Sequence, residues 1–245
     1  MALLEVKNIN AGYGKKQVLY DISFEVEQGD IVLLIGSNGS GKSTLLKAIY
    51  GLLPLWNNPN FESGNKKGSV YFNGENITDL PASALLKKGL LYIPQKNNLF
   101  ADLTVKENLE MAGLTIGSRK ILQERIEQAL DNFPSITPHL KRIPMKLSGG
   151  ERQLLTLAMA TLHKPKMILI DEPFSGLSPQ NINFIRENVK MLNKKDGVSF
   201  LIVEHRITES YVIAQKVISL KLGRVYSIRN VSSDFSIQEF QKVFV

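Results

Sequence analysis

The chain contains no cysteine. That excludes disulfides and thiolate metal sites, and it fits a reducing compartment. It also lacks any long apolar run. A helix crossing a bilayer needs about 18 or more consecutive apolar residues, whereas the longest runs here, Ile31 to Ile35 and Met167 to Ile170, have the length of buried strands. The start, Met1-Ala2-Leu3-Leu4-Glu5, has neither the basic residues nor the apolar stretch of a secretory signal. No block of like charge is present either. Thirty Lys and Arg against 23 Asp and Glu leave a net charge of +7, which raises nucleic acid or an anionic membrane as partners. The lysines are spread as pairs (Lys15-Lys16, Lys66-Lys67, Lys87-Lys88, Lys194-Lys195), a pattern of a solvated basic surface. These absences predict a soluble, cytoplasmic chain that makes no direct contact with nucleic acid and reaches a membrane only through a partner.

What is present is an ordinary globular composition, 43% hydrophobic and 22% charged over 245 residues, enough for one core and a small second lobe. No internal repeat or low-complexity tract interrupts it. Leu4 to Ile9, Val18 to Val26 and Ile31 to Ile35 read as strands, with Gly29-Asp30 a turn. A helix is expected from Ser43 to Leu53, stopped by Pro54, and Val70 to Phe72 reads as a strand running into the Asn73-Gly74 turn. From Leu103 to about His163 the period is helical. Leu122, Ile126, Ala129, Leu130 and Phe133 mark one apolar face behind the N-cap Ser118, and a further helix is expected from Gly150 to Leu162. Strand and helix then alternate: Met167 to Ile170, a helix around Pro179 to Leu192, Val198 to Val203, a short helix from Ile207, and Val217 to Leu220. Such alternation indicates a parallel sheet covered by helices. The expectation is an α/β core over 1–95 and 161–245, with a mainly helical lobe inserted at 96–160. The Asn-, Gly- and Pro-bearing stretch 55–67 reads as a surface loop in which Trp56 and Phe61 either tuck onto the body or dock a partner.

Two motifs carry phosphate chemistry. Gly36-Ser37-Asn38-Gly39-Ser40-Gly41-Lys42-Ser43-Thr44 fits the pattern G-x-x-x-x-G-K-S/T, between a strand and a helix. Glycines there let successive backbone N–H groups close on a β-phosphate while the helix adds its positive end. Lys42 supplies a point charge to the β- and γ-phosphates, Ser43 a hydroxyl for Mg²⁺, and Thr44 a contact on the α-phosphate side. The second motif is Asp171-Glu172 after the apolar run Met167 to Ile170. Asp171 is placed to reach the metal shell, and Glu172 to polarise a water for attack on the γ-phosphorus. Between the two lies Leu147-Ser148-Gly149-Gly150-Glu151-Arg152-Gln153, where small residues at a helix start expose N–H donors to an anion.

With these three motifs in this order, the chain resembles the ATP-binding cassette family, the nucleotide-binding subunits of ABC transporters, from Tyr13 to about Gly223. The resemblance implies a P-loop NTPase core: a mixed, largely parallel sheet flanked by helices, with N-terminal antiparallel strands and an inserted helical signature lobe. It implies ATP as substrate, Mg²⁺ as cofactor, and a cassette dimer of two identical chains or of sister subunits in which two ATP molecules are sandwiched. Ser148, Gly149 and Gly150 would then grip the γ-phosphate held by the facing P-loop. Tyr13 looks like the aromatic that stacks on adenine, Gln95 like the glutamine that completes the Mg²⁺ and water shell, and His205 like the switch histidine at the γ-phosphate. One departure stands out: where many cassettes carry Asp at the dimer interface, this chain has Ser178.

Within the family, Asn98 to Leu109 and Gly176-Leu177-Ser178-Pro179 are similar to the branched-chain amino acid importer type, and the lipopolysaccharide-export cassette is a near relative. Residues 97–110 would line the groove for a coupling helix of the permease, with Leu99, Phe100 and Leu103 as apolar contacts; the other reading is plain lobe core. The resemblance implies a protein peripheral to the inner face of the cell membrane, held there by permease subunits. A soluble cassette ATPase acting on nucleic acid is the rival class, but this chain has one cassette, no heptad run and no zinc module. A scaffold binding ATP without turnover is opposed by the presence of both Glu172 and His205.

Overall fold

The computed structural model describes residues 2–56, 68–96, 98–205 and 207–231. Along the chain the elements are β1 (Ala2–Tyr13), β2 (Lys16–Glu27), β3 (Ile31–Gly36), α1 (Lys42–Ile49), β4 (Ser69–Phe72), β5 (Glu75–Asn76), α2 (Ala82–Lys88), β6 (Leu90–Ile93), α3 (Val105–Ala112), α4 (Arg119–Asn132), α5 (Gly149–Thr161), β7 (Met167–Asp171), α6 (Pro179–Asp196), β8 (Ser199–Glu204), α7 (Ile207–Ser210), β9 (Lys216–Lys221) and β10 (Arg224–Asn230).

Two sheets form. An antiparallel sheet runs β2-β1-β4-β5, and a six-stranded sheet runs β10-β9-β3-β8-β7-β6, parallel except for the terminal β9–β10 hairpin. Parallel sheets are covered on both faces, so their strands are apolar throughout rather than alternating. Every residue of β3, β7 and β8 is accordingly buried. Side-chain alternation sorts them into two cores. Leu33, Ile35, Ile168, Ile170, Phe200 and Ile202 join residues of α3, α4, α5 and α6 on one face. Val32, Leu34, Leu169, Leu201 and Val203 join α1 and the antiparallel sheet on the other. The mixed α/β architecture expected from the sequence is the one observed.

The helix read as Ser43 to Leu53 ends earlier, at Ile49. Gly51 takes a left-handed conformation (φ +68°), and a Cβ there would stand 2.6 Å from the Leu80 carbonyl oxygen. The chain turns away because only glycine fits that approach. Ser118 caps α4, its Oγ accepting the Ile121 N–H at 3.5 Å. Of the 55–67 loop, Trp56 is half-buried and its N–H is bonded to the Asn10 carbonyl at 2.7 Å; Phe61 lies outside the described residues. Among the described residues no helix is long and apolar enough to cross a membrane.

Parallel strands deliver their C-terminal ends to one edge, where ligands of open α/β sheets bind. The register sets Ile35 beside Glu204, Asp171 beside Val203 and Ile93 beside Ile170. The segments that follow β3, β6, β7 and β8 therefore leave the sheet together.

Candidate active site

At the end of β3 the backbone curls through Gly39 (φ +80°) and Gly41 (φ +105°) before α1 begins. A Cβ on Gly41 would stand 2.7 Å from Leu19 Cδ2, so the tight approach to β2 also demands glycine. No side chain caps α1 and its first turn holds no acidic residue. Its leading N–H groups face the loop without a competing carboxylate, which is the arrangement that binds anions. Lys42 is buried, and its Nζ donates to the carbonyls of Gly36 at 2.8 Å and Ser37 at 3.0 Å, so the cation spans the loop. Burial pushes the Lys42 ammonium below its ordinary value, against the pull of Glu172, Asp171 and Glu204. Thr44 and Ser40 are buried beside it, while Ser37 and Asn38 face solvent.

Ser43 Oγ donates to Asp171 Oδ1 at 3.0 Å, joining the loop to the end of β7. Burial raises the Asp171 carboxyl above the ordinary range, opposed first by that hydrogen bond. A cation placed there would relieve the cost of the buried charge. Among the described residues no three His, Cys, Asp or Glu side chains form a metal cluster. Mg²⁺ does not need one, since it usually takes one or two protein oxygens and completes its shell with phosphates and water. Ser43 and Asp171 fit that demand.

Glu172, one residue on, has φ +48°, an unusual backbone for a non-glycine residue. Its N–H is bonded to the Val203 carbonyl at 2.9 Å. Two residues that the sequence singled out for other contacts approach its carboxylate. Gln95 Nε2 donates to Glu172 Oε2 at 2.5 Å, and His205 Nδ1 lies 3.6 Å from the same oxygen. Tyr13, at the end of β1, is 48% exposed, so its ring has an open face.

The remaining predicted group begins α5. Ser148 is the N-cap: its Oγ accepts the Glu151 N–H at 3.2 Å, and Glu151 Oε2 accepts the Ser148 N–H at 2.7 Å. This capping box uses the Ser148 backbone donor. What it leaves for a ligand are the N–H groups of Gly149 and Gly150 and the Ser148 hydroxyl proton. Both glycines are closely overlaid: a Cβ on Gly149 would stand 2.9 Å from Leu177 Cδ2, and one on Gly150 2.8 Å from the Asn181 amide. Ser178 caps α6, its Oγ accepting the Asn181 N–H at 3.4 Å. In the expected groove, Leu99 packs against the core and Phe100 is 48% exposed. The buried Asn108 shapes that loop: its Oδ1 accepts the Phe100 N–H at 2.8 Å, and its Nδ2 stands 3.0 Å from each of the Phe100, Leu103 and Thr104 carbonyls.

Two residues escaped the sequence reading. Glu204 is fully buried at the end of β8; its Oε1 accepts the Phe174 N–H at 2.8 Å and its Oε2 the His205 N–H at 3.3 Å. It ties the segment after Glu172 to His205. An acidic residue closing the apolar run Phe200 to Val203 was the available signal. Tyr92, on β6, has a buried hydroxyl. Burial, and then the Asp171 charge, hold its phenol well above the ordinary value.

A family model described as ABC transporter matches residues 19–175. A probable branched-chain amino acid transport ATP-binding protein of Archaeoglobus fulgidus is 35% identical over 241 residues, covering 98% of each chain. The lipopolysaccharide export system ATP-binding protein of Escherichia coli strain K12 is 31% identical, over 92% of this chain and 89% of its own. Among solved structures, the dimeric post-hydrolysis state of an ATP-binding cassette with ADP and phosphate superposes with a TM-score of 0.78 at 26% identity, over 94% of this chain and 99% of that one.

Proposed function

This chain belongs to the ABC transporter family and is one of its ATP-hydrolysing subunits, and we propose that it works as one half of a cassette dimer driving branched-chain amino acid import through a membrane permease. The observation that carries the catalytic part is the meeting of Gln95 and His205 at one oxygen of Glu172, beside the Ser43–Asp171 contact. The P-loop backbone from Gly36 to Thr44 and the N-terminal end of α1 hold the phosphates, and Lys42 leaves the loop carbonyls for them. Tyr13 stacks on adenine. Glu172 takes a proton from a water as the water oxygen bonds to the γ-phosphorus and the bridging P–O bond to the β-phosphate breaks, releasing ADP; Gln95 and His205 orient that carboxylate. Ser43, Asp171 and Gln95 would hold Mg²⁺, which would supply neutralisation of the phosphate charge.

One chain supplies one half of each site. Ser148, Gly149 and Gly150 of the partner cassette close on the γ-phosphate, as the anion-binding start of α5 supports. ATP closes the sandwich, closure moves the permease, and hydrolysis reopens it. The helical lobe at 96–160 presents the Asn108-shaped loop, with exposed Phe100, to the permease, which keeps the subunit at the inner membrane face. The similarity to the importer protein, higher than to the lipopolysaccharide-export relative, supports amino acids as cargo.

The test is capture of the tagged chain from detergent-solubilised membranes, followed by ATP-dependent uptake of labelled leucine, isoleucine and valine in vesicles holding the captured complex. Uptake that Lys42→Ala abolishes supports the proposal. A permease that ignores these amino acids while ATP hydrolysis continues overturns the cargo and leaves the ATPase.

A further inference from the structure

The start of α5 is held from outside by a side chain that no motif includes. Glu151 uses Oε2 to accept the Ser148 N–H at 2.7 Å, and its other oxygen, Oε1, lies 2.9 Å from His139 Nε2. His139 ends the short 3-10 turn Pro134–His139 that follows α4. Its side chain is 17% exposed, and Nδ1 is buried with no hydrogen-bond partner among the described groups. A carboxylate can only accept, so Nε2 carries a proton. His139 acts there as a directed donor through Nε2.

A glutamate on a helix surface has several rotamers, and fixing it costs up to about 2 kcal/mol of side-chain entropy. Here both oxygens are engaged. The neighbouring Arg152 Nη1 also donates to the Leu147 carbonyl at 2.9 Å, so the residues on both sides of Ser148 are pinned. The backbone of Ser148 to Gly150 follows the setting of Glu151, because its Oε2 is the partner of the Ser148 N–H.

We propose that His139 is a positioning residue for ATP closure: by fixing Glu151 it holds the Ser148–Gly150 donors in the orientation that receives the γ-phosphate of a facing cassette. This rests on the reading above that these donors act across a dimer. His139 itself touches no nucleotide, and the P-loop of its own chain does not depend on it. Loss of the contact therefore weakens closure without weakening binding of ATP to the single chain.

The experiment compares Glu172→Gln alone with Glu172→Gln carrying His139→Ala or His139→Gln, in Mg-ATP. Sedimentation gives the dimer dissociation constant, fluorescent ATP titration of dilute protein gives binding to the monomer, and amide exchange follows Ser148 to Glu151. The result expected for His139→Ala is a dimer roughly tenfold or more weaker, the scale of losing an outer partner at an organised site. Monomer affinity stays within about twofold and exchange at Ser148 speeds up. His139→Gln, whose amide nitrogen can replace Nε2, restores most of the dimer. A Glu172→Gln chain that stays monomeric with ATP removes the sandwich reading and this proposal with it. A dimer equally tight with alanine at 139 removes only the proposal. So does a parallel loss of monomer affinity and melting temperature that glutamine fails to rescue.

Discussion

Gln95 Nε2 stands 2.5 Å from Glu172 Oε2, so a residue two positions past β6 reaches the carboxylate that follows β7. His205 approaches the same oxygen, 3.6 Å away. The Gln95 hydrogen bond fixes that oxygen of the carboxylate, with the His205 ring close by. Glu172→Gln preserves the size of the side chain and removes its capacity to take a proton. General bases contribute about 10²- to 10⁴-fold, so phosphate release should fall by that range while ATP still binds and the dimer persists. An unchanged rate would remove Glu172 from the role of base.

Asp171 lies beneath that carboxylate and is strained electrically rather than sterically. Burial raises its carboxyl above 3.8, so the folded chain holds the proton to higher pH than the unfolded chain does. Above the raised value both states are ionised and the folded state bears the full cost of a buried charge; below 3.8 both are protonated and the cost vanishes. Asp171→Asn keeps an acceptor for Ser43 and lacks the charge. The variant without nucleotide should melt higher than the original chain near neutral pH, and the advantage should shrink as pH falls through the raised value. The same variant should lose the extra stability that Mg²⁺ adds to bound ATP. Melting curves across pH, with and without Mg-ATP, check both signs.

The candidate site was legible as a set of motifs because each part follows a sequence signal with a physical cause: glycines where the loop must curl, Lys42 and Ser43 at a helix start, Asp171-Glu172 after an apolar strand. Its convergence was not legible, because Gln95 and Glu172 are 77 residues apart and meet only through the β6–β7 register. Glu204 closes an apolar run in the sequence, but its two N–H partners, Phe174 and His205, come together only in the fold. The short elements were hardest. α2, β6 and β10 offer few residues for a period to show, and β10 alternates between half-buried and exposed along its first part because only one of its faces packs, with Val225 against the core. The end of α1 at Ile49 depends on Leu80, a tertiary contact that competed successfully with helical pattern.

Gly150 tests whether the start of α5 is small for the sake of packing as well as of phosphate. A methyl there would stand 2.8 Å from the Asn181 amide carbon and oxygen. Overpacking of this kind costs about 1–3 kcal/mol. Gly150→Ala should therefore lower the melting temperature even without nucleotide, and Asn181→Ala should recover part of that loss, giving a non-additive double-mutant cycle. Recovery of stability without recovery of the ATP-bound dimer would separate the two demands on this glycine. Additive losses would show that Asn181 is not what forbids a side chain.

Ser178 occupies a position where the resemblance leads one to expect aspartate, and the fold gives it a local role, as its Oγ accepts the Asn181 N–H at the start of α6. Aspartate and serine cap helices about equally well, whereas alanine in their place costs about 1 kcal/mol. For a chain of this size that loss corresponds to roughly 2–4 °C in melting temperature. Ser178→Ala should show it and Ser178→Asp should not. The aspartate variant then isolates the interface: with the cap intact, any change in the ATP dependence of hydrolysis comes from the carboxylate between cassettes. In a dimer of identical chains two such carboxylates are introduced, and the Hill coefficient for ATP should rise. If it stays constant while the trapped dimer forms normally, Ser178 serves the helix alone, and communication between the two ATP sites runs through other contacts.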